Sequence, residues 1–118
     1  MEYTDLEVWK ESRKLVKEIY TATKKFSNDE LYGLSSQIKR SAVSVPSNIA
    51  EGCGRRTSKD TIQFLYISRG SLYELETQVY LALDLNYLNQ EEFDNIQDKI
   101  LYCKKLLSGF INYYKKKN

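Results

Sequence analysis

The sequence contains no histidine, one proline, five glycines and two cysteines in 118 residues. Without histidine the chain lacks the commonest metal ligand and the side chain that titrates most readily near neutral pH. It also lacks the commonest general base, and a Glu-x-x-His di-iron motif is excluded outright. Cys53 and Cys103 make a poor disulfide framework and an incomplete zinc site. So few prolines and glycines do not suit a β-rich chain, in which turns recur often. No apolar run approaches the roughly 20 residues that cross a bilayer. The opening Met-Glu-Tyr-Thr-Asp lacks the basic region and apolar core of a signal peptide. These absences predict a cytoplasmic chain with reduced thiols, no cofactor, no metal and no membrane partner.

What is present points to helices. The chain is 42% hydrophobic and 29% charged, and its length suits a single domain over 1–118. Apolar residues recur at three- and four-residue spacing in four segments, about 5–25, 29–52, 58–86 and 90–115. The first carries Leu6, Trp9, Leu15, Val16, Ile19 and Tyr20, with Asp5 as a candidate N-cap. The second carries Leu31, Leu34, Ile38, Ala42, Val45 and Ile49, with Ser27 or Asn28 as its cap. Pro46 lies inside it, which predicts a kink near Pro46 or a break re-capped by Ser44 or Ser47. Gly52-Cys53-Gly54 should end this helix, since glycine readily takes the left-handed conformation. The third segment has a heptad seam of Leu65, Ser68, Leu72, Leu75, Val79 and Ala82. The fourth has Phe93, Ile96, Ile100, Cys103, Leu107, Phe110 and Tyr114. Short connections make neighbours antiparallel. The expected fold is all-α, an antiparallel up-down-up-down four-helix bundle.

The net charge of +2 is uninformative, but its distribution is not. Residues 71–98 hold seven acids and no base, and residues 99–118 hold six lysines and no acid. Part of this complements the macrodipole of the fourth helix. Part follows from topology. The end of helix two, the start of helix three and the end of helix four should share one pole, gathering Arg55, Arg56, Lys59, Lys115, Lys116 and Lys117. Such a cluster can neutralise phosphates, or it can be ordinary solvated surface. Glu2, Asp5 and Glu7 lie at the same pole and dilute it. Lys39 and Arg40 could extend it along helix two.

Two further features invite a reading. Gly70 in mid-helix costs about 1 kcal/mol relative to alanine, which predicts close approach of another backbone near Pro46. Tyr66, Tyr73, Tyr80 and Tyr87 recur every seven residues. Tyrosine combines a large apolar area with a polar tip and is enriched at interfaces. The stripe is read as a subunit interface, with packing inside the bundle and base stacking on RNA as the alternatives.

Enzymatic signatures are missing. Gly52-Cys53-Gly54-Arg55-Arg56 has neither Walker spacing nor a preceding strand. The neighbouring arginines could lower the pKa of Cys53, although a small residue at a helix end is the plainer reading. Glu51 and Glu74 have no catalytic partner in view and are expected to pair with arginines such as Arg40 or Arg69. The chain is read as non-catalytic.

Between Leu31 and Leu88 the segments Tyr32-Gly33-Leu34, Gln37-Ile38-Lys39-Arg40, Ser44-Val45-Pro46-Ser47-Asn48-Ile49-Ala50-Glu51-Gly52 and Gly70-Ser71-Leu72-x-Glu74-Leu75 occur in order. With the opening Leu6-Glu7-Val8-Trp9, they resemble the four-helix-bundle proteins encoded in intervening sequences of bacterial 23S rRNA genes, the S23 ribosomal protein family. Ser27 and Ser68 stand where that family commonly has proline and alanine. The resemblance implies a ring-shaped homopentamer. It also implies kinship with the accessory variability determinant of diversity-generating retroelements, a basic pentameric bundle that binds nucleic acid and a reverse transcriptase. The expected function is therefore binding of structured RNA, or of DNA, by an oligomeric bundle. The alternative is a scaffold or accessory subunit for a protein partner.

Overall fold

The apolar periodicity is realised as four long helices: α1 (Glu7–Thr23), α2 (Leu34–Cys53), α3 (Ser58–Asp84) and α4 (Gln90–Lys116). The computed structural model describes residues 2–31 and 33–117. Tyr32, part of the expected second helix and of the Tyr32-Gly33-Leu34 motif, lies outside the described residues, as do Met1 and Asn118. Single 3-10 turns at Tyr3–Asp5 and Asn28–Glu30 precede α1 and α2, and no strand occurs among the described residues. Each helix packs on its sequence neighbours, α1 also packs on α4, and the diagonal pairs stay apart. This is the expected up-down-up-down bundle.

The core is a stack of aliphatic side chains drawn from all four helices. Leu15, Ile19, Ile38, Val45, Ile49, Leu65, Leu72, Leu75, Ile96, Ile100 and Leu107 are essentially sealed from solvent. Each such side chain contributes about 1.5–3 kcal/mol through burial. The α3 seam is buried at every expected position, from Leu65 to Ala82. The α4 seam drifts. After Leu107 the buried position is Ile111, while Phe110 and Tyr114 are only partly buried against the core. An α-helix has 3.6 residues per turn, so a strict seven-residue pattern rotates away from the core over several heptads.

The helix ends refine the expected boundaries. The N-cap position of α1 is Leu6, with no side-chain cap, and Asp5 closes the preceding 3-10 turn instead. Ser27 caps the 3-10 turn by accepting from the Asp29 N–H, so α2 starts later than the apolar pattern indicated. The Glu30 carboxylate accepts from the Leu34 N–H at 3.2 Å, beginning the helix there. Leu31, counted as a core position, is 58% exposed. Thr57 caps α3 through the Asp60 N–H, and Asn89 with Glu92 forms a full capping box on α4.

α2 continues unbroken through Pro46, so no re-capping at Ser44 or Ser47 occurs. Hydrogen bonds beside the proline support the helix. The Ser68 hydroxyl donates to the Val45 carbonyl at 2.9 Å, and the Asn48 amide donates to the Ser44 carbonyl at 2.9 Å. α2 ends at Gly52-Cys53-Gly54 as expected, but the close approach expected at Gly70 and the left-handed glycine are corrected. A Cβ at Gly70 would meet nothing within 4 Å, whereas one at Gly52 would sit 3.1 Å from Phe64 Cβ and 3.2 Å from the Thr61 carbonyl oxygen. The close approach of α2 and α3 is therefore at Gly52. No glycine takes a positive φ; the left-handed residue is Asn86, at φ 63°, which ends α3. Behind it the Tyr87 N–H donates to the Ala82 carbonyl and the Asn86 N–H to the Leu83 carbonyl.

Candidate nucleic-acid interface

The turn between α2 and α3 carries Arg55 and Arg56, and the first turn of α3 carries Lys59. The Thr61 hydroxyl fixes this turn by donating to the Gly52 carbonyl at 2.8 Å and to the Thr57 carbonyl at 3.1 Å. The end of α4 reaches the same pole, where the Lys115 ammonium lies 5.4 Å from the Tyr66 ring centroid. The structure thus brings Arg55, Arg56, Lys59, Lys115, Lys116 and Lys117 to one end. All six are exposed.

Aromatic rings interleave with these cations, and the sequence reading missed most of them. The Arg55 guanidinium lies over Phe64 at 4.3 Å. Lys117 lies near Tyr113 and Tyr114, at 5.0 and 5.5 Å. Phe110, Tyr113 and Tyr114 form an aromatic cluster with centroids 5.0–6.2 Å apart. Rings beneath cations hold the positive groups in place and offer flat faces to bases. Their signal in the sequence was the spacing of Tyr113 and Tyr114 against Lys115–Lys117 across the final turn of α4.

Exposed acids share this pole: Asp60 in the first turn of α3, Glu51 near the end of α2, and Glu2, Asp5 and Glu7 at the start of α1. Arg55 pairs with Glu51 at 3.7 Å, in an exposed contact along one helix face. Among the described residues, Arg56, Lys59 and the three terminal lysines form no salt bridge. The expected pairing of Glu51 and Glu74 with Arg40 or Arg69 is corrected. Glu51 meets Arg55, while Glu74 accepts a hydrogen bond from Ser41 at 3.2 Å. Arg69 lies over the Tyr73 ring instead.

Lys39 and Arg40 do not join this cluster. They sit one turn into α2, some 15 residues before Arg55 and so about 22 Å along the axis. The Lys39 ammonium lies 5.2 Å from the Tyr20 ring centroid, on the face shared with α1.

The tyrosine stripe divides. Tyr66, Tyr73 and Tyr80 are exposed, the last two at 50% and 49%. Ile67 and Leu81 are exposed beside them on α3, and Leu85 just past its end. Tyr87 is instead tied into its own bundle. Its hydroxyl donates to Glu30 at 2.8 Å, and its ring packs on Phe26 at 5.1 Å. That hydrogen bond, the larger cause, and partial burial raise the Tyr87 pKa.

Residues 4–109 match the family model described as 23S rRNA-intervening sequence protein. The chain belongs to this family. A crystal structure of a protein of unknown function from the S23 ribosomal protein family of Bacteroides thetaiotaomicron shares the fold, with a TM-score of 0.82 at 26% identity. The similarity covers 88% of this chain and 97% of that one. No curated protein matches the sequence. The 23S rRNA-intervening family thus supplies the four-helix frame, and the basic end of this member is built on the α2–α3 turn and the end of α4.

The thiols give little chemistry to that frame. Burial pushes the Cys53 thiol up, in spite of Arg55 and Arg56 nearby, and pushes Cys103 up to about 12. The idea of an arginine-activated Cys53 is thereby corrected. No group of metal-ligating side chains occurs among the described residues, and no helix there is long and apolar enough to cross a membrane.

Proposed function

We propose that this protein is a non-catalytic bundle of the cytoplasm that assembles with copies of itself and binds structured RNA through its basic end. The observation carrying this reading is the convergence of Arg55, Arg56, Lys59, Lys115, Lys116 and Lys117 beside Phe64, Tyr66, Tyr113 and Tyr114. Exposed cations neutralise phosphates and release counterions, and the rings stack on unpaired bases. Family membership supports the choice of RNA, since the family takes its name from sequences within 23S rRNA genes. The unbridged thiols of Cys53 and Cys103 agree with a reducing compartment. Titration of 23S rRNA fragments at rising salt tests the proposal. Binding should weaken steeply as salt rises; absence of binding at low salt, or indifference to salt, overturns it.

The apolar face of α3 supports assembly. Tyr66, Ile67, Tyr73, Tyr80, Leu81 and Leu85 expose large side chains along α3 and just past its end, and such a face is covered in most oligomers. A homopentamer, as the family resemblance implies, would cover it. The same face favours a second reading, a scaffold for a protein partner. A pull-down that recovers one protein regardless of nuclease treatment would support that reading over RNA binding.

A further inference from the structure

α1 is split electrostatically along its length. Winding its sequence at 100° per residue places Lys10, Arg13 and Lys17 on one stripe opposite the buried face, with Arg13 on the edge nearest α2. Glu7, Glu11 and Glu18 fall on the α4 side. Glu11 takes Lys14 with it, in a 2.9 Å ion pair. The stripe borders an open groove of about 340 Å³ between α1 and α2, floored by Val16, Val43 and Pro46 and edged by Arg13, Lys17 and Tyr20. Its continuation past Tyr20 and Val43 is edged by Lys39 and Arg40.

We infer that the α1–α2 face, with Lys10, Arg13, Lys17, Lys39 and Arg40, is a second nucleic-acid contact that holds the phosphodiester backbone of an RNA strand. The inference rests on the RNA-binding reading above but concerns a different surface. Three observations carry it. Among the described residues, none of the five cations forms a salt bridge. Two lie against rings, with the Arg13 guanidinium 4.9 Å from the Trp9 centroid and the Lys39 ammonium 5.2 Å from that of Tyr20. Cations three and four residues apart on a helix lie about 5–6 Å apart, a step comparable to that between neighbouring phosphates of one strand. Lys10 lies outside the groove, in a neighbouring hollow along α1 that it shares with Arg13, Lys14, Lys17 and Glu7. No residue of the basic pole lines the groove or its continuation, so the face is a separate contact and not an extension of that pole. It also accounts for the separation of Lys39 and Arg40 from Arg55, since they belong with α1. RNA is favoured over an acidic protein because the cations form a line beside a shallow apolar floor, which fits an extended polyanion.

The test uses the full chain and a fluorescein-labelled RNA hairpin. The quadruple variant Arg13→Gln, Lys17→Gln, Lys39→Gln, Arg40→Gln is compared with Arg55→Gln, Arg56→Gln, Lys59→Gln and with the unaltered protein. The quadruple variant should bind roughly 10- to 100-fold more weakly at low salt, with a log–log salt slope shallower by about 3. In the unaltered protein, RNA should protect Lys10, Lys17 and Lys39 from acetylation, a readout that does not depend on how any variant folds. If the quadruple variant binds with unchanged affinity and slope and the lysines stay reactive, the inference is overturned while the basic pole stands. If polyglutamate protects these lysines as well as RNA does, the face reads acidic polymers in general and the inference also fails. If the unaltered protein does not bind the hairpin, both readings fall together.

Discussion

The Thr61 hydroxyl donates to the carbonyl oxygen of Gly52 at 2.8 Å, locking the turn that presents Arg55 and Arg56. Thr61 is buried, and it also donates to the Thr57 carbonyl. Replacing it with valine keeps the shape and removes the donor. Thr61→Val should destabilise the bundle by about 1–2 kcal/mol, measured by urea denaturation. It should also speed hydrogen exchange in the turn from Gly52 to Thr61. Unchanged exchange there would show that this bond does not hold the turn.

The two most informative glycines should respond in opposite directions. Gly52→Ala forces a methyl against Phe64 Cβ and the Thr61 carbonyl, and overpacking of this kind costs about 1–3 kcal/mol. Gly70→Ala places a methyl in open space on an exposed helix surface, where it should stabilise by about 0.5–1 kcal/mol. Thermal melts of both variants decide the matter, and a stabilised Gly52→Ala would contradict the packing described.

Glu76 links α3 to α4 by accepting from Lys104 and from Gln97, both at 2.7 Å. The Lys104 hydrogen bond is the main cause that holds its carboxyl below the ordinary glutamate range. A lowered folded pKa gives stability that is present above the unfolded value and lost as pH falls through the folded one. Glu76→Gln should therefore destabilise at neutral pH, by about 1 kcal/mol in this partly solvated setting. The gap between variant and parent should close as the medium is acidified below the range in which free glutamate titrates. A gap that widened in acid would reverse the assignment.

The cysteines should be sluggish nucleophiles. Cys103 is buried in the core, with its pKa pushed up to about 12, and partial burial also raises that of Cys53. At neutral pH, iodoacetamide should leave Cys103 unmodified and label Cys53 more slowly than a free thiol. Mass spectrometry of the intact protein reads both, and rapid labelling of Cys53 would reopen a catalytic reading.

The tyrosines should separate in solution mass. Tyr73→Glu with Tyr80→Glu places two charges on the exposed α3 face and should shift a multimer towards monomer. Tyr87→Phe loses only the internal bond to Glu30 and should leave the mass unchanged. Light scattering distinguishes them, and a monomeric parent protein would remove the interface altogether.

The seams of α3 and α4 were legible because small or apolar residues recur there at three- and four-residue spacing, although the α4 pattern drifts off the core after Leu107. The start of α2 was not legible. Leu31 continues the apolar spacing, yet its backbone belongs to a 3-10 turn that Ser27 and Glu30 organise through local hydrogen bonds. Gly70 misled because a glycine in a helix signals either close approach or open surface, and only the neighbouring helix distinguishes them. The basic pole could be foreseen from topology and charge runs. The stripe on α1 could not be seen as a run, because its lysines and arginine alternate with glutamates in sequence and sort from them only when the helix is wound. The pairings of Lys115 with Tyr66 and of Lys39 with Tyr20 run across helices, which periodicity does not encode, whereas Lys117 with Tyr113 and Tyr114 is a local spacing that was readable.

Ultraviolet crosslinking in cells, followed by mapping of the crosslinked peptides, tests RNA binding most directly. The account predicts RNA attached to peptides containing Phe64, Tyr66, Tyr113 or Tyr114, with structured 23S rRNA segments enriched. Recovery of no RNA, together with one protein partner that survives nuclease treatment, would contradict it.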